Sequence, residues 1–310
     1  MTASLVIRSL AGLTADEARE LFTSLPDPGL VGRPLLGPPH DTFATVAAGG
    51  PYRPEWTWVA SRGPEVVARA AFWGGPEDTA PVALDWFDFT DPAAGTELLR
   101  RVPLRADFEL ILPPAWRETP AVRAAADARV AAAGAAGYRP LVERFRYLWT
   151  PACGLPERPG RLVFRPEPDD EVILDVLRRV HSRTLDAHAL RAIERGGVDL
   201  AAQEELDFFH WCPSPRAWWR LAWTPDGELA GIAVPARNQT TPVIGFIGVV
   251  PEARGHGYGH DLLVECTHIL AAEGVGEIAA ATDLGNAPMA AAFARAGYPV
   301  TQTRVCMSAP

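Results

Sequence analysis

The sequence predicts an α/β protein built from two copies of one unit. Six segments of the first half return in the same order in the second half, each about 160 residues further along the chain. Both copies begin with a similar strand, LVIR at residues 5–8 and LVFR at residues 162–165, and both end with a Gly-Tyr pair followed by a strand-like run. Matches in a fixed order at a fixed distance indicate a duplicated unit.

The matching segments predict the same elements in each copy. Apolar and charged residues at helical spacing follow the first strand, and two apolar runs around a glycine-containing turn then predict a hairpin. A further strand, a helix and a final helix that ends in Gly-Tyr complete the unit. In order, the pairs are helices 15–22 and 169–180, hairpins 58–72 and 220–234, strands 81–89 and 242–250, helix starts 95–99 and 259–263, and helix ends 131–138 and 291–298.

The chain has 310 residues, about twice the length of a typical domain, which also favours two domains. Prolines and glycines are concentrated in PACGLPERPG, residues 151–160, as expected of a linker. We therefore predict a first domain at residues 1–150, a linker at residues 151–160 and a second domain at residues 161–310.

Composition excludes several classes of function. The net charge is −9, which argues against binding to nucleic acid through phosphate neutralisation. The sequence shows no membrane-spanning run and no secretion signal, so a cytoplasmic protein is expected. No lysine is present, and all 29 basic residues are arginine. No metal site is predicted because the four cysteines lack the spacing of metal ligands; they are Cys153, Cys212, Cys266 and Cys306.

The segment most informative about function is VVPEARGHGYGHDLL, residues 249–263. A strand that ends at Pro251 leads into a helix that begins near Tyr258, and the turn between them contains Gly255, Gly257 and Gly259. Glycines allow a sharp turn and the close approach of a ligand, and the free N–H groups of a helix start attract anions. With Arg254 beside it, this turn predicts a site for a phosphate or a pyrophosphate.

Two common phosphate-binding loops do not fit. A P-loop requires a lysine, and the chain has none. A dinucleotide-binding loop requires G-x-G-x-x-G, and the position of its third glycine is His260 here. What remains is the pattern Arg-x-x-Gly-x-Gly after a strand that ends in Val-x-Pro.

This pattern resembles the acyl-CoA-binding motif of the GNAT N-acetyltransferase superfamily. The resemblance extends to a following strand at residues 277–283, to Asn286 at the start of a helix, and to Gly297-Tyr298 at its end. It implies two tandem GNAT-like domains, each with a mixed, mostly antiparallel central sheet flanked by helices. The first copy has only TDPAAG, residues 90–95, in place of the glycine loop, so it resembles the degenerate domain of tandem members.

The resemblance implies direct transfer of an acetyl group from acetyl-CoA to a primary amine of a small molecule, without a covalent intermediate. The loop N–H groups would bind the pyrophosphate, Val249 and Val250 would pair with the pantetheine arm, and Asn286 would orient that arm. The N–H of Val249 is also our candidate for polarising the thioester carbonyl. The full set expected at the cofactor is Val249, Val250, Arg254, Gly255, His256, Gly257, Tyr258, Gly259, Asn286 and Phe293.

The residues that transfer protons are harder to predict. Family members often have a tyrosine as acid at the position of Phe293, so a side-chain acid is missing there. Asp283, at the end of a strand, is our candidate base, and the alternative is that it caps the turn before Asn286. Tyr298 is interpreted as packing the end of its helix.

Glu204, Glu205 and Phe208 are predicted to line an acidic, aromatic pocket for a cationic amine, and the alternative is a helix with one solvated and one buried face. The sequence names neither the amine nor the acyl length nor the oligomeric state. Three alternatives stay open: a longer acyl-CoA as donor, an acyl-CoA-binding protein without turnover that acts as a sensor or sequesters the ligand, and a structural domain whose glycine loop holds no ligand.

Overall fold

The computed structural model describes residues 3–37, 42–238 and 241–310, and the chain forms two compact units. Unit 1 comprises Met1–Glu143 and Gln302–Pro310, and unit 2 comprises Arg144–Thr301. Each unit contains a sheet with a single parallel pair of strands among antiparallel ones, in the part of the chain that the structure describes. The predicted fold class, two mixed and mostly antiparallel sheets with helices, is confirmed.

Unit 1 has the strand order β1-β2-β3-β4-β5-β12, in which β4 and β5 are parallel. Its elements are β1 (Leu5–Ser9), α1 (Ala15–Thr23), β2 (Thr57–Arg62), β3 (Glu65–Trp73), β4 (Ala83–Phe89), α2 (Pro92–Arg101), β5 (Asp107–Leu112), α3 (Pro120–Ala135) and, at the end of the chain, β12 (Val300–Ser308).

Unit 2 has the strand order β6-β11-β10-β9-β8-β7, in which β10 and β11 are parallel. Its elements are β6 (Arg139–Trp149), β7 (Val163–Pro166), α4 (Asp170–His181), α5 (Ala187–Trp211), β8 (Arg220–Trp223), β9 (Leu229–Arg237), β10 (Pro242–Val249), α6 (Tyr258–Ala272), β11 (Ile278–Asp283) and α7 (Ala287–Arg295).

The units do not begin and end where the predicted domains do, because the last strand of each half pairs in the sheet of the other. Residues 144–149 of β6 pair with β11, and residues 303–307 of β12 pair with β5. Both strands follow a Gly-Tyr helix end and alternate apolar and polar residues, so the sequence pattern fits either sheet equally well. The partner is decided by tertiary structure.

Residues 151–160, predicted as a linker, lie within unit 2 and are held by contacts there. Trp149 Nε1 donates to the carbonyl of Gly154 at 2.9 Å, and a ring nitrogen of His268 lies 2.8 Å from the carbonyl of Pro156. The segment therefore packs along the unit, and its prolines and glycines shape a fixed path rather than a hinge.

Helices cover both faces of the unit 2 sheet, because β9 presents apolar side chains to each face. Ile232 and Val234 pack in the cluster that contains residues of α4 and α5, whereas Ala233 packs with Leu262 and Cys266 of α6. Successive side chains of a strand point to opposite faces, so a strand buried on both faces is apolar throughout.

Helix α5 consists of two helical segments joined at Gly196 and Gly197. Gly197 has φ +82° and ψ −179°, a conformation essentially restricted to glycine. The kink redirects the chain, so the second segment, which contains the predicted pocket residues, has its own packing against α4 and the sheet.

Unit 1 contains a buried charge network centred on Asp88 in β4. Its carboxylate accepts from Arg69 at 2.9 and 3.0 Å, from Arg129 at 2.7 and 3.2 Å and from Trp86 Nε1 at 2.9 Å. Arg69 also donates to Asp27 at 2.8 Å. Both charged oxygens of Asp88 are thus bonded, which a buried carboxylate requires.

We expect Asp88→Ala to lower the free energy of unfolding by about 3–5 kcal/mol, because it leaves two buried guanidinium groups without their shared partner. Chemical denaturation measures the change. The matched control is Asp127→Ala, which removes an exposed ion pair with Arg123 and should leave stability unchanged. Equal effects of the two substitutions would contradict the assignment of the network as a buried, coupled unit.

Candidate functional site

The glycine loop connects β10 to α6 at an exposed part of unit 2. A short 3₁₀ turn, Pro251–Ala253, follows the strand, and Gly255 and Gly257 have φ values of +86° and +74°. Gly257 is the N-cap of α6, and no side chain caps this helix end. The left-handed conformation at Gly257 favours glycine there.

The loop carbonyls point toward one cation, which directs the N–H groups the other way. Arg161 donates to the carbonyl of His256 at 2.9 Å and to that of Gly257 at 3.4 Å, and it also pairs with Asp261. In a trans peptide the C=O and the following N–H point in opposite directions, so the N–H groups of Gly257 and Tyr258 face away from Arg161. In the described part of the chain neither donates to a protein acceptor. Together with the positive end of the α6 dipole, these two N–H groups have the geometry that an anion site requires.

The guanidinium of Arg254 does not extend into this site. It donates to the carbonyls of Val249 at 3.2 Å, Arg183 at 2.6 Å and Val180 at 3.1 Å. Burial, followed by the nearby Arg183, lowers the pKa of Arg254 from its usual value. Arg254 thus joins the end of α4 to the end of β10, and the positive charge that we expected at the phosphate is held among carbonyls.

The other loop residues lie around the helix start. The ring of His256 is exposed and stacks on Tyr258 with ring centroids 5.4 Å apart, as expected of a solvated side chain rather than a base. Gly259 lies in the first turn of α6, where an added Cβ would meet Met289 Sδ at an ordinary 3.8 Å. Gly259 is therefore not demanded by the fold, and it leaves the first turn open to a ligand.

Beside the loop, β10 separates from β11. Their parallel ladder contains one register pair, Val243↔Ala279, and a bulge follows between Ile244 and Phe246. The N–H of Val250 donates to the carbonyl of Ala230 in β9 at 3.1 Å. Because strand residues alternate in direction, the backbone groups of Val249 and Ile247 then point away from β9, toward the gap.

The backbone N–H groups of the two predicted strand residues, Val249 and Val250, point in different directions. Val249 directs its N–H to the gap, as the prediction requires. Val250 does not, because its N–H donates to Ala230 and its carbonyl accepts from Ala253 at 3.0 Å. The N–H of Val250 is therefore not available to a cofactor arm, and strict alternation from Val249 identifies Ile247 as the other residue whose N–H points to the gap.

Asn286 caps α7 as predicted. Its side-chain oxygen accepts from the N–H of Met289 at 3.3 Å, and Pro288 lies in the first turn. Phe293, expected at the cofactor, is instead 2% exposed and stacks on Tyr147 with ring centroids 4.2 Å apart. Tyr298 is buried too, and its hydroxyl lies 2.7 Å from Thr267 Oγ1, which fits the packing role. The helical position of Phe293 points to the core, so a contact with the cofactor is not supported.

Asp283 is buried at the end of β11 and has fixed partners. It accepts from the N–H of Ala187 at the start of α5 at 2.7 Å, and Arg144 lies 2.8 Å from its other oxygen. Burial, and then Asp186, raises the pKa of Asp283, while Arg144 opposes the rise. Its contacts are those of a carboxylate that joins β6, β11 and α5. The alternative that it caps a turn also holds in part, since its carbonyl accepts from the N–H of Asn286 at 2.9 Å.

The three predicted pocket residues of α5 do not converge. Glu204 is exposed and pairs with Arg195 at 2.7 Å, and Phe208 stacks on Trp211 with centroids 6.1 Å apart. Glu205 points inward, with its carboxylate 3.9 Å from the ring of His181. Adjacent residues on a helix diverge by about 100°, so Glu204 and Glu205 lie on different faces. The prediction that Glu204 shares a pocket with Glu205 is wrong, whereas Phe208, like Glu205, is partly buried and packs against the core.

Unit 1 shows how the same site is closed in the other copy. The side chain of Asp91 accepts from the N–H groups of Ala93 and Ala94, so a carboxylate of the chain caps α2. Arg129 donates to the carbonyl of Phe87 on β4 at 3.1 Å. The ladder places Phe87 at a position that points away from β3, which corresponds to Ile247 in β10. In unit 1, side chains thus bind the first N–H groups of α2 and a carbonyl of β4 at the corresponding positions.

Sequence reasoning missed Arg161, Ile247 and His181. Arg161 precedes β7 and lies about 95 residues before the loop that it orients, so no local pattern links them. His181 ends α4 without a motif around it. Of the three, only Ile247 could have been found from the sequence, because the two-residue period of a strand places it on the same side of β10 as Val249.

Among the residues that the structure describes, no group of three or more His, Cys, Asp or Glu side chains could hold a metal ion. In the same residues, no helix has the length and apolar character needed to cross a membrane.

Comparisons with known proteins bear on this site. Residues 187–298 match the model of the acetyltransferase (GNAT) family. This range contains the Gly255–Gly259 loop, the gap-facing part of β10, Asn286 and Glu205. A search of curated proteins gave no significant match.

Solved structures match nearly the whole chain. A GCN5-related N-acetyltransferase from Sphaerobacter thermophilus is 16% identical with a TM-score of 0.58, covering 98% of this chain and 94% of that one. A tandem GNAT protein from the clavulanic acid biosynthesis pathway is 18% identical with a TM-score of 0.50, covering 98% of each. A fungal multi-domain β-N-acetylglucosaminidase with a glucosamine N-acetyltransferase region is 12% identical with a TM-score of 0.54, covering 99% of this chain and 38% of that one.

At such identities the structural matches establish the fold alone, and the family model adds a match that is limited to residues 187–298. Residues 187–298 therefore match the GNAT family of acetyltransferases, and the chain has the fold of the GNAT structures that it matches.

Proposed function

We propose that unit 2 binds acetyl-CoA and transfers its acetyl group directly to a primary amine of a small molecule. The observation that carries the proposal is the set of backbone donors left open in unit 2. The N–H groups of the glycine loop and of the gap-facing β10 residues lie along one path, from the α6 start to the separation of β10 and β11. A ligand with a pyrophosphate and an extended amide-containing arm fits this path.

The residues have distinct roles in this proposal. The N–H groups from Gly255 to Gly259 bind the pyrophosphate, supported by the α6 dipole. The gap-facing N–H of Ile247 or Val249 binds the thioester carbonyl and stabilises the oxyanion that develops there. Acetyl-CoA supplies the acetyl thioester. Arg161 and Arg254 keep the loop and the strand end in the geometry that exposes these donors.

Direct transfer is favoured because the buried thiols of unit 2 are poor nucleophiles. Burial raises the pKa of Cys212 to about 11, and it raises the pKa of Cys266 further, so both stay protonated at neutral pH. Burial likewise raises the pKa of Tyr147, which stacks on Phe293, to about 12.

A second candidate is an acyl-CoA-binding protein without turnover. It is favoured by Phe293, which stands where the family often has an acidic tyrosine and which is buried in the core. The two candidates share the anion site and differ in whether any amine is acetylated.

The anion site is tested by changing only charge at the N-cap of α6. We expect Gly257→Asp to weaken the binding of acetyl-CoA at least about tenfold. A Cβ at this position lies 3.9 Å from the guanidinium of Arg161, so the carboxylate competes with the loop carbonyls for that group and adds a negative charge next to the pyrophosphate. Gly257→Asn is the matched control, since Asn has the same shape and also tolerates positive φ. Isothermal titration measures both, and the difference should shrink at high salt. Equal affinity of the Asp and Asn variants would contradict an anion site here.

Turnover is tested by incubating the protein and acetyl-CoA with a panel of primary amines and measuring free CoA and acetylated amine by chromatography. We expect release of CoA that depends on the amine and falls in proportion with binding in Gly257→Asp. Because the chain has no lysine, self-acetylation of side-chain amines gives no background. Tight binding with no product from any amine would support the binding protein instead.

A further inference from the structure

A polar cluster lies where the ends of β10 and β11 meet α4 and α5. Arg144 of β6 is shared by Asp283 at 2.8 Å and by Asp186, the N-cap of α5, at 3.1 Å. Glu205 and His181 complete the cluster from α5 and α4. Exposure decreases inward, since the side chain of Asp186 is 37% exposed, that of Glu205 22% and that of His181 2%.

His181 is the member of the cluster that the fold does not explain. Both of its ring nitrogens are buried without a hydrogen-bond partner in the described residues. Such orphaned groups cost free energy and mark functional sites when they persist. Nε2 lies 3.9 Å from the carboxylate of Glu205, which itself makes no hydrogen bond within the described part of the chain. The imidazole is therefore aimed at a carboxylate that is also uncommitted.

The contacts of α4 place this pair beside the gap in the sheet. The side chain of Val180 touches Gly248, where an added Cβ would lie 2.7 Å from Val180 Cγ1, and the ring of His181 lies 5.7 Å from that of Phe246. Gly248 lies between Ile247 and Val249, whose N–H groups point into the gap. Arg254 locks this arrangement by bonding the carbonyls of Val180 and Val249.

From this geometry we infer that Glu205 accepts the proton of a cationic alkylamine substrate and that His181 is its positioning residue. The inference rests on the proposed acetyl transfer. The carboxylate of Glu205 takes one proton from the ammonium group, and the freed nitrogen lone pair attacks the thioester carbonyl. As the C–S bond breaks, the second proton passes from the nitrogen to the leaving thiolate, and Glu205 returns its proton to solvent.

The electrostatics of Glu205 suit this role. Burial raises the pKa of Glu205 to about 8, with a further rise from Asp186 and an opposing effect of Arg144. Burial lowers the pKa of His181, so its ring is neutral and can donate an N–H to the ionised carboxylate after a small side-chain rotation. Cys212, the remaining titratable neighbour, is a neutral thiol. A base whose pKa lies near the working pH is effective in proton transfer.

The kinetic test compares two kinds of amine with Glu205→Gln. An alkylamine is protonated at neutral pH and must lose a proton before attack, whereas an aromatic amine is already uncharged. We expect kcat/KM to fall about 10²–10³-fold for alkylamines and less than tenfold for aromatic amines. Glu204→Gln, one residue away and exposed, is the control and should change neither. Equal losses for both amine types would overturn the role of Glu205, because a structural defect does not distinguish them.

The role of His181 is tested by pH. In His181→Phe the donor to the ionised carboxylate is lost, so the rise of kcat/KM with pH for alkylamines should move to higher pH while the plateau is retained. A lowered plateau at an unchanged midpoint would overturn the positioning role. Titration with acetyl-CoA distinguishes failure of the proton transfer from failure of the proposed function. Glu205→Gln should bind acetyl-CoA as the parent does. Absence of binding by the parent itself would overturn the proposed function and the proton transfer with it.

A measurement without substrate tests the protonation of Glu205. Because its pKa is raised on folding, the folded state holds a proton that the unfolded state has lost between about pH 4.5 and 8, so this group lowers stability as the pH rises through that window. We expect Glu205→Gln to have a higher Tm than the parent at pH 9 and a similar Tm at pH 5, with Glu204→Gln matching the parent at both. A Tm difference that is the same at pH 5 and pH 9 would overturn the proposal that Glu205 is an inward, proton-accepting carboxyl group.

Discussion

The separation of β10 from β11 is the constraint on which the rest of unit 2 depends. Past Val243↔Ala279 the two strands no longer pair, and the ladder of β10 with β9 has a bulge between Ile244 and Phe246. Backbone N–H and C=O groups in a sheet need partners, so a gap between central strands must be filled by side chains, water or a ligand. Everything assigned to function in this unit lies along that gap or at its two ends.

The two units answer the same requirement in different ways. In unit 1, Arg129 reaches the carbonyl of Phe87, and Asp91 caps the start of α2 with its own carboxylate. In unit 2, no side chain caps the start of α6, and two arginines bond carbonyls on the other side of the loop and of the strand end. Arg161 and Arg254 bond carbonyls of the loop and of β10, which fixes the peptide planes and leaves the N–H groups available. In unit 1 the charged side chains occupy the site, whereas in unit 2 the arginines bond carbonyls and leave the N–H groups accessible.

The proton chemistry proposed for unit 2 requires that two neighbouring carboxyl groups, Asp283 and Glu205, have different roles. Asp283 is bonded to the start of α5 and lies against Arg144, so it is committed to structure. Among the described residues Glu205 has no such partners, and it lies near the imidazole of His181, whose nitrogens have none there either. Two carboxyl groups in one cluster thereby acquire different tasks. Burial raises the pKa of both and Arg144 opposes the rise in both, but only Asp283 also accepts a backbone hydrogen bond, from the N–H of Ala187.

The sequence by itself determined the duplication, the order of elements, the glycine turn before α6 and the helix cap at Asn286, because each depends on local periodicity, on glycine and proline or on residues a few positions apart. The sequence also identified Val249, because this residue lies at the end of the strand just before the glycine loop. It did not determine the partners of β6 and β12, since two strands with the same alternation fit the same sheet edge. Nor did it predict that Ile247 rather than Val250 faces the gap, that Phe293 and Asp283 are buried, or that His181 lies beside Glu205. Those outcomes rest on contacts between residues distant in the chain, and only the tertiary structure decides which side chains meet.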